Sequence, residues 1–500
     1  MVTPYRDGSP SGPPLSVFFS LYLPPWLDSF FLAVPGFRKI TSRKLLTRLL
    51  WVLVPSFLQG QHHCKWARTE KLHPTAYLDG MRGLGALAVF FCHYSYQCFF
   101  IAESDGCGDN NWSWLKLPIL RLFYQGQPAV CIFFVISGYV LSYRPLKLMR
   151  SRKPLELFEA LSSLVFRRAF RLFLPAILSS FIVLCLVRLG AYDLTREFAN
   201  DTRYMKNIIE PHPQRLGSTM EQFREWLWSL YSWAHIFSWD PDAGRIKYDV
   251  HLWAIPVEYL SSMFLFLVLM ATARLNTFFR FTTVISLALF IYRSSKWEVL
   301  LFLGGMLIAE LDLMSGKHKA VSLGLSPDTP KRSAQPLHWA RRVFWGALSG
   351  LALYLLSQPD ANGHITPGWV FLKSLIPSWW SVSSFHYWQS VGAVLFVLAI
   401  GHSSSWQAVF NSSVPQYLGK ISFAVYLMHG PAMHAVGYHF ETLAYKLTGV
   451  EGLWLNAGFC LHACFCIPTV IWWADVFWRV VDIPCVKLAK LLERKCTTMT

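Results

Sequence analysis

Arg82 and His93 stand eleven positions apart in Tyr77-Leu-Asp-Gly-Met-Arg-Gly-Leu-Gly-Ala-Leu-Ala-Val-Phe-Phe-Cys-His93, a run that is otherwise almost wholly apolar. At 3.6 residues per turn this spacing sets both side chains on one helical stripe, about 16 Å apart along the axis. If the helix crosses a membrane, a cation lies near the surface and an imidazole near the middle. Hydrocarbon solvates neither group, so such residues usually line a cavity or pathway. Taken alone, the pair fits equally a snorkelling arginine and a histidine bonded to a neighbouring helix.

Three further groups of polar residues interrupt apolar runs. Ser137 and Gly138 lie in Gly126-Gln-Pro-Ala-Val-Cys-Ile-Phe-Phe-Val-Ile-Ser-Gly-Tyr139, where small residues suit close helix packing. Arg167-Arg-Ala-Phe-Arg171 puts three cations in about one turn before Pro175, either an anchor at the membrane surface or a clamp for a polyanion. Glu258 ends His251-Leu-Trp-Ala-Ile-Pro-Val-Glu, and His429 ends Tyr417-Leu-Gly-Lys-Ile-Ser-Phe-Ala-Val-Tyr-Leu-Met-His, each two or three turns into an apolar segment. A carboxylate there must be neutral, paired or beside water, and a tie to arginine or histidine meets that demand.

The elements that would position these groups follow from composition. Of 500 residues 53% are hydrophobic and 15% charged; with a mean hydropathy of +0.33, the chain reads as an all-α, polytopic transmembrane helical bundle. About ten spans are expected, at 84–101, 126–143, 165–189, 252–272, 281–293, 297–313, 343–357, 388–401, 418–437 and 453–474. The net charge of +17 is carried by basic clusters between these runs, which suits anionic phospholipid and not nucleic acid. With an even number of spans all the clusters share one side, so both termini are expected in the cytosol.

Residues 1–75 read as a cytosolic, Pro-rich and then basic region, with a possible interfacial helix at 45–58 and an ambiguous apolar stretch at 18–34. Residues 76–475 form the membrane domain and 476–500 a basic cytosolic tail. The polar loop 191–250 falls on the lumenal side and carries the acceptor sequon at Asn200, while the first lumenal loop carries that at Asn111. No zinc-ligand spacing is visible, and no metal is expected; Cys98 and Cys107 could pair or remain free thiols.

Together, in order and spacing, Asp79-Gly-Met-Arg-Gly-Leu with His93, Phe-Phe-Val-Ile-Ser-Gly-Tyr139, the arginine turn before Pro175, Leu-Trp-Ala-Ile-Pro-Val-Glu258 and the segment ending in His429 resemble the acyltransferase 3 family of integral membrane O-acyltransferases. The similarity runs from about residue 75 to 475. It implies a ten-helix domain that transfers an acyl group, most often acetyl, from cytosolic acyl-CoA to a hydroxyl, with Arg82 and His93 as the functional pair. Trp253-Ala-Ile-Pro departs from the Trp-Ser-Leu frequent in the family, and no esterase-like domain of the kind found in bacterial members is expected. The sequons and that missing domain resemble filamentous-fungal members acting on secondary metabolites.

On this reading His93 is the general base, and Arg82 with Arg167, Arg168 and Arg171 holds the phosphates of acyl-CoA, a co-substrate and not a bound cofactor. Glu258 and His429 orient His93 or bind the acceptor. The 22 Trp and 38 Phe favour a lipophilic acceptor such as a terpenoid or polyketide alcohol, in an endomembrane such as the endoplasmic reticulum. Acylation of a cell-wall or glycolipid sugar is the alternative acceptor reading. A membrane transporter is the alternative class, since it too keeps Arg, Glu and His at mid-membrane. The His235-x4-Asp240 spacing of glycerolipid acyltransferases has no companion motif.

Overall fold

Apolar runs of this length leave the helix as the structure that satisfies every backbone donor and acceptor internally. A computed structural model describes residues 51–59, 72–108, 111–238, 244–316 and 335–497, and among them the chain is helical with no strand. It divides into two compact units, Met1–Ala67 and Arg68–Thr500. Of the first, residues 51–53 are helical and a 3-10 turn spans Ser56–Leu58. Residues 45–50 of the expected interfacial helix, the stretch 18–34 and Asp240 lie outside the described residues.

In the second unit the long helices are α1 (Ala76–Tyr96), α2 (Gly126–Arg150) and α3 (Pro154–Arg188). Two shorter ones, α4 (Ala191–Ala199) and α5 (Thr219–Ala234), occupy the long polar segment. Then follow α6 (Ala254–Ala271), α7 (Thr277–Arg293), α8 (Trp297–Ser315), α9 (Gln335–Leu356), α10 (Val370–Ser374), α11 (Phe385–Gly401) and α12 (Ser404–Phe410). The chain closes with α13 (Ser413–Ala432), α14 (Tyr438–Thr448), α15 (Gly452–Phe477) and α16 (Ile483–Cys496). Each expected span overlaps a helix, with ends shifted by up to eleven residues, the largest shift being the start of α3 at Pro154.

Among the described residues four helices are long and apolar enough to cross a membrane: Gly126–Arg150, Pro154–Arg188, Val250–Ala271 and the continuous Gly452–Cys496. A fifth is added if α11 and α12, bent by 98°, count as one broken span. These segments mark a membrane protein. Others fall short in length, as the 17-residue α7 and α11 do, or carry polar residues, several of which meet at the site below.

Two features set the site's geometry. The first is the crossing of α1 and α13, where backbones touch at Gly83 and Gly419: a Cβ on Gly83 would collide with Leu418 and Gly419, and one on Gly419 with Asp79. This small-residue contact holds α1 against α13, and further along the pair His93 lies beside His429, ring centroids 5.2 Å apart. The second is α16. The segment expected as a plain basic tail is a helix packed on α3, with Arg167 Nε 3.2 Å from Glu493 Oε2.

Candidate active site

His93 is the meeting point of four chain segments. Its Nδ1 lies 3.1 Å from Glu210 Oε1 and 3.1 Å from His251 Nε2. The ring centroids of His251 and His429 stand 4.1 and 5.2 Å away. Glu210 is buried and accepts from every side: His251 Nε2 approaches Oε1 at 3.1 Å, His434 Nε2 approaches Oε2 at 2.5 Å, and the Tyr96 hydroxyl also donates to Oε1. Burial alone would raise the Glu210 carboxyl pKa; the charge of His251 and hydrogen bonds from His251, His434 and His93 outweigh that and hold it well below the usual range.

The second carboxylate is Asp249. Its Oδ1 caps the 3-10 turn Val250–Trp253 by accepting from the backbone N of His251, and it accepts from His251 Nδ1 at 2.6 Å. His251 is thus held between Asp249 and Glu210, while its carbonyl accepts from the Tyr426 hydroxyl. Gly430 makes this approach possible, because a Cβ there would lie 2.5 Å from His251 Nδ1. His429 directs Nδ1 to its own helix, 2.8 Å from Tyr426 O and 3.1 Å from Val425 O. That bond makes Nδ1 the donor and leaves the buried Nε2, which has no partner among the described residues, as an acceptor facing the cluster.

A three-histidine set also meets the distance requirement of a metal site, since donor atoms of His93, His251 and His429 lie within 4.8 Å of one another. The two carboxylates already account for His93 and His251.

At the other end of the Arg82–His93 stripe lies a cavity of about 360 Å³ lined by Arg82, Arg167, Arg168, Arg171 and Lys490, closed on one side by Val486 and Ala489 of α16. All four arginines singled out in the sequence therefore share one chamber, and α16 adds a fifth cation. Arg82 and Arg171 have no carboxylate at ion-pair distance among the described residues, whereas Arg168 NH2 pairs with Glu258 Oε1 at 2.7 Å. Beyond Arg82, Ser137 and Glu258 a narrower space of about 60 Å³ continues past Phe133 to Ala254, Ile255 and Tyr426, towards the histidines.

The structure corrects one expectation: the carboxylate on His93 is Glu210, while Glu258 bonds Arg168 and accepts from Ser137 Oγ at 3.0 Å. The physical reason is position, since Glu258 lies two helical turns beyond His251 on α6 and so faces the basic chamber. Sequence reasoning missed Glu210, Asp249, His251 and His434. His251 opens the very motif from which Glu258 was chosen, and Glu210 sits between Ile209 and Pro211 in an otherwise polar loop, a local clue to burial. His434 follows His429 by five residues, off its face in a regular α-helix; a π-turn at Met433–Gly437 turns it back to Glu210. Cys98 and Cys107 are both free. Asn200 is exposed, and Asn111 is half-buried with its amide on Glu103 at 3.0 Å.

The described residues thus form an all-helical membrane protein with a carboxylate-held histidine at one end of a helix and an arginine chamber at the other. The comparisons with known proteins narrow this further. The acyltransferase-domain profile of the acyltransferase 3 family matches residues 75–479, and the chain belongs to that family. It is 33% identical over 472 residues to the O-acetyltransferase PaAT-1 of Phomopsis amygdali, covering 88% of each chain. It is also 26% identical over 458 residues to the acyltransferase clz18 of Cochliobolus lunatus, covering 85% of this chain and 96% of that one. The acyltransferase R4 of a Phoma species is similar to the same degree, 26% over 458 residues, covering 84% of this chain and 96% of its own. No solved structure matches the chain.

Proposed function

We propose that this acyltransferase is a multi-pass membrane O-acetyltransferase that moves acetyl from acetyl-CoA to the hydroxyl of a small lipophilic alcohol in secondary metabolism. The observation that carries the reading is the single chamber joining Arg82, Arg167, Arg168, Arg171 and Lys490, with His93 on the same helix beyond it. Clustered cations, two of them without an ion-pair partner among the described residues, suit the phosphates of CoA. The roughly 16 Å along α1 between Arg82 and His93 suits the extended pantetheine arm.

In this mechanism acyl-CoA enters from the basic, cytosolic face with its thioester beneath the histidines. Glu210 holds the Nδ1–H of His93, leaving Nε2 to take the proton of the acceptor hydroxyl. The oxygen attacks the thioester carbonyl, the tetrahedral intermediate expels the CoA thiolate, and the proton held on His93 passes to that sulfur. Glu210 stabilises the imidazolium that forms between these steps, much as the carboxylate of a hydrolase triad does. Asp249 and His251 fix Glu210 from behind, and the His429 ring, centred 5.2 Å from that of His93, helps hold the base in place.

The ten helices over the expected spans are taken to cross an endomembrane, endoplasmic reticulum included, with the termini and α16 in the cytosol. The Asn200 side is then lumenal, where its exposed sequon suits glycosylation better than half-buried Asn111 does. PaAT-1 is named an O-acetyltransferase, which supports acetyl as the group moved. A sugar acceptor remains the second reading of substrate, and a transporter is disfavoured by family membership.

The test is microsomes carrying the full chain, given radiolabelled acetyl-CoA and an acceptor alcohol. Wild-type membranes are expected to form labelled ester and His93→Ala membranes to lose it. Near wild-type transfer by a well-expressed His93→Ala variant overturns the assignment.

A further inference from the structure

A second cavity, of about 310 Å³, runs beside α1 and is wholly apolar where the first is cationic. Residues from Met81 to Phe91 line one wall, so it follows the Arg82–His93 stripe on the neighbouring face of the same helix. Its opposite wall comes from α2 at Pro128, Ala129 and Ile132, and its mouth carries Ile119 and Phe123, which are 42% and 72% exposed.

The ring of Phe133 separates this cavity from the narrow space that leads to the histidines. Phe133 lines that space, while its neighbours Ala129 and Ile132 and the facing Gly85 line the apolar cavity. The ring rests directly over Gly85: a Cβ added there would lie 2.8 and 2.9 Å from Phe133 Cε1 and Cζ. Phe133 is half-buried and stands between the two spaces, so its ring is the side chain whose rotation a passage between them requires.

We propose that Phe133 over Gly85 is a side gate through which an apolar-bodied alcohol passes from the 310 Å³ cavity into the reaction chamber. This rests on the acyl-transfer reading above and names how the acceptor arrives. A ternary reaction needs donor and acceptor bound together, and the arginine chamber is filled by the nucleotide end of the donor. An acceptor with an apolar body is disfavoured in that cationic chamber and favoured in the other, where its apolar surface is buried. Its hydroxyl, the one polar end, then points past Phe133 towards Tyr426 and the histidines. The volume lies in the range that holds a small ligand.

The test compares transfer of labelled acetyl to farnesol, an apolar C15 alcohol, with the KM for acetyl-CoA, in microsomes of the full chain. Ala88→Trp fills the cavity and is expected to raise the farnesol KM by about tenfold while leaving that of acetyl-CoA within about twofold. Ile132→Trp fills it from the other helix and should act likewise. Wild-type protein irradiated with a diazirine-bearing long-chain alcohol should be labelled between residues 117 and 132, with farnesol protecting. An unchanged farnesol KM in both well-expressed variants overturns the gate. So does labelling that phosphatidylcholine vesicles abolish and farnesol does not. A change in preference between acetyl-CoA and hexanoyl-CoA at constant farnesol KM also overturns it, since the cavity would then hold the acyl tail. If wild-type membranes acetylate no alcohol, the acyl-transfer reading itself fails and takes the gate with it.

Discussion

Replacing Glu210 by glutamine keeps shape and volume and removes one property, a carboxylate able to accept on both oxygens. In the native site Oε1 faces His93 and His251 at 3.1 Å each, and Oε2 faces His434 at 2.5 Å. A glutamine has a single accepting oxygen, so its NH2 must confront either His434 or the His93–His251 pair. Turned either way, the imidazolium formed on His93 in the reaction loses its counter-charge. A hydrogen bond to a charged group is worth about 1.5–3 kcal/mol; with about 1.36 kcal/mol per tenfold in rate, kcat should fall roughly 10- to 150-fold. The arginine chamber lies at the far end of α1, so the KM for acetyl-CoA should stay within about twofold. The assay is initial rates of labelled acetyl transfer in microsomes at matched protein level. A kcat within about twofold of wild type, or a loss expressed mainly as a higher acetyl-CoA KM, refutes the assignment of Glu210.

The other predictions concern distinct parts of the site. Arg82→Ala and Arg171→Ala should raise the acetyl-CoA KM more than the acceptor KM, read from two-substrate kinetics; the reverse pattern argues against a phosphate clamp. Gly430→Ala should abolish transfer in the labelled-acetyl assay and lower the melting temperature, because the new methyl would displace the clamped His251 ring. The depressed Glu210 pKa implies that its stabilising contribution is fully present above the unfolded-state value of about 4.3 and is lost as pH falls below it. Thermal stability should therefore fall more steeply on acidification below about pH 4.3 in wild type than in Glu210→Gln, measured by fluorescence-detected unfolding in detergent.

How far the sequence led depends on which interactions are local. The helices were legible because apolar runs specify both the segment and its approximate ends. The arginine chamber was legible as well: Arg167, Arg168 and Arg171 sit in one turn, and their union with Arg82 needs only that α1 and α3 face each other. The histidine cluster was half legible, since His93 and His429 interrupt apolar helices where a polar group attracts notice. Glu210 was not, because a carboxylate in a polar loop carries no periodic signal, and its partner lies 117 positions away. The helix α16 was read as a tail because its charges suit the membrane surface, whereas it covers the arginine chamber with Val486, Ala489 and Lys490.

The π-turn at Met433–Gly437 makes the chain's angular phase part of the site. One residue added to or taken from a helix turns everything beyond it by about 100°, a change that substitutions do not produce. Deleting Met433 from that turn would swing His434 off Glu210 while leaving every side chain of the cluster in the sequence. Length variation in these few positions is therefore a more sensitive record of the site's history than side-chain identity, and relatives that keep all the histidines yet differ here in length would hold them in a different order around the carboxylate.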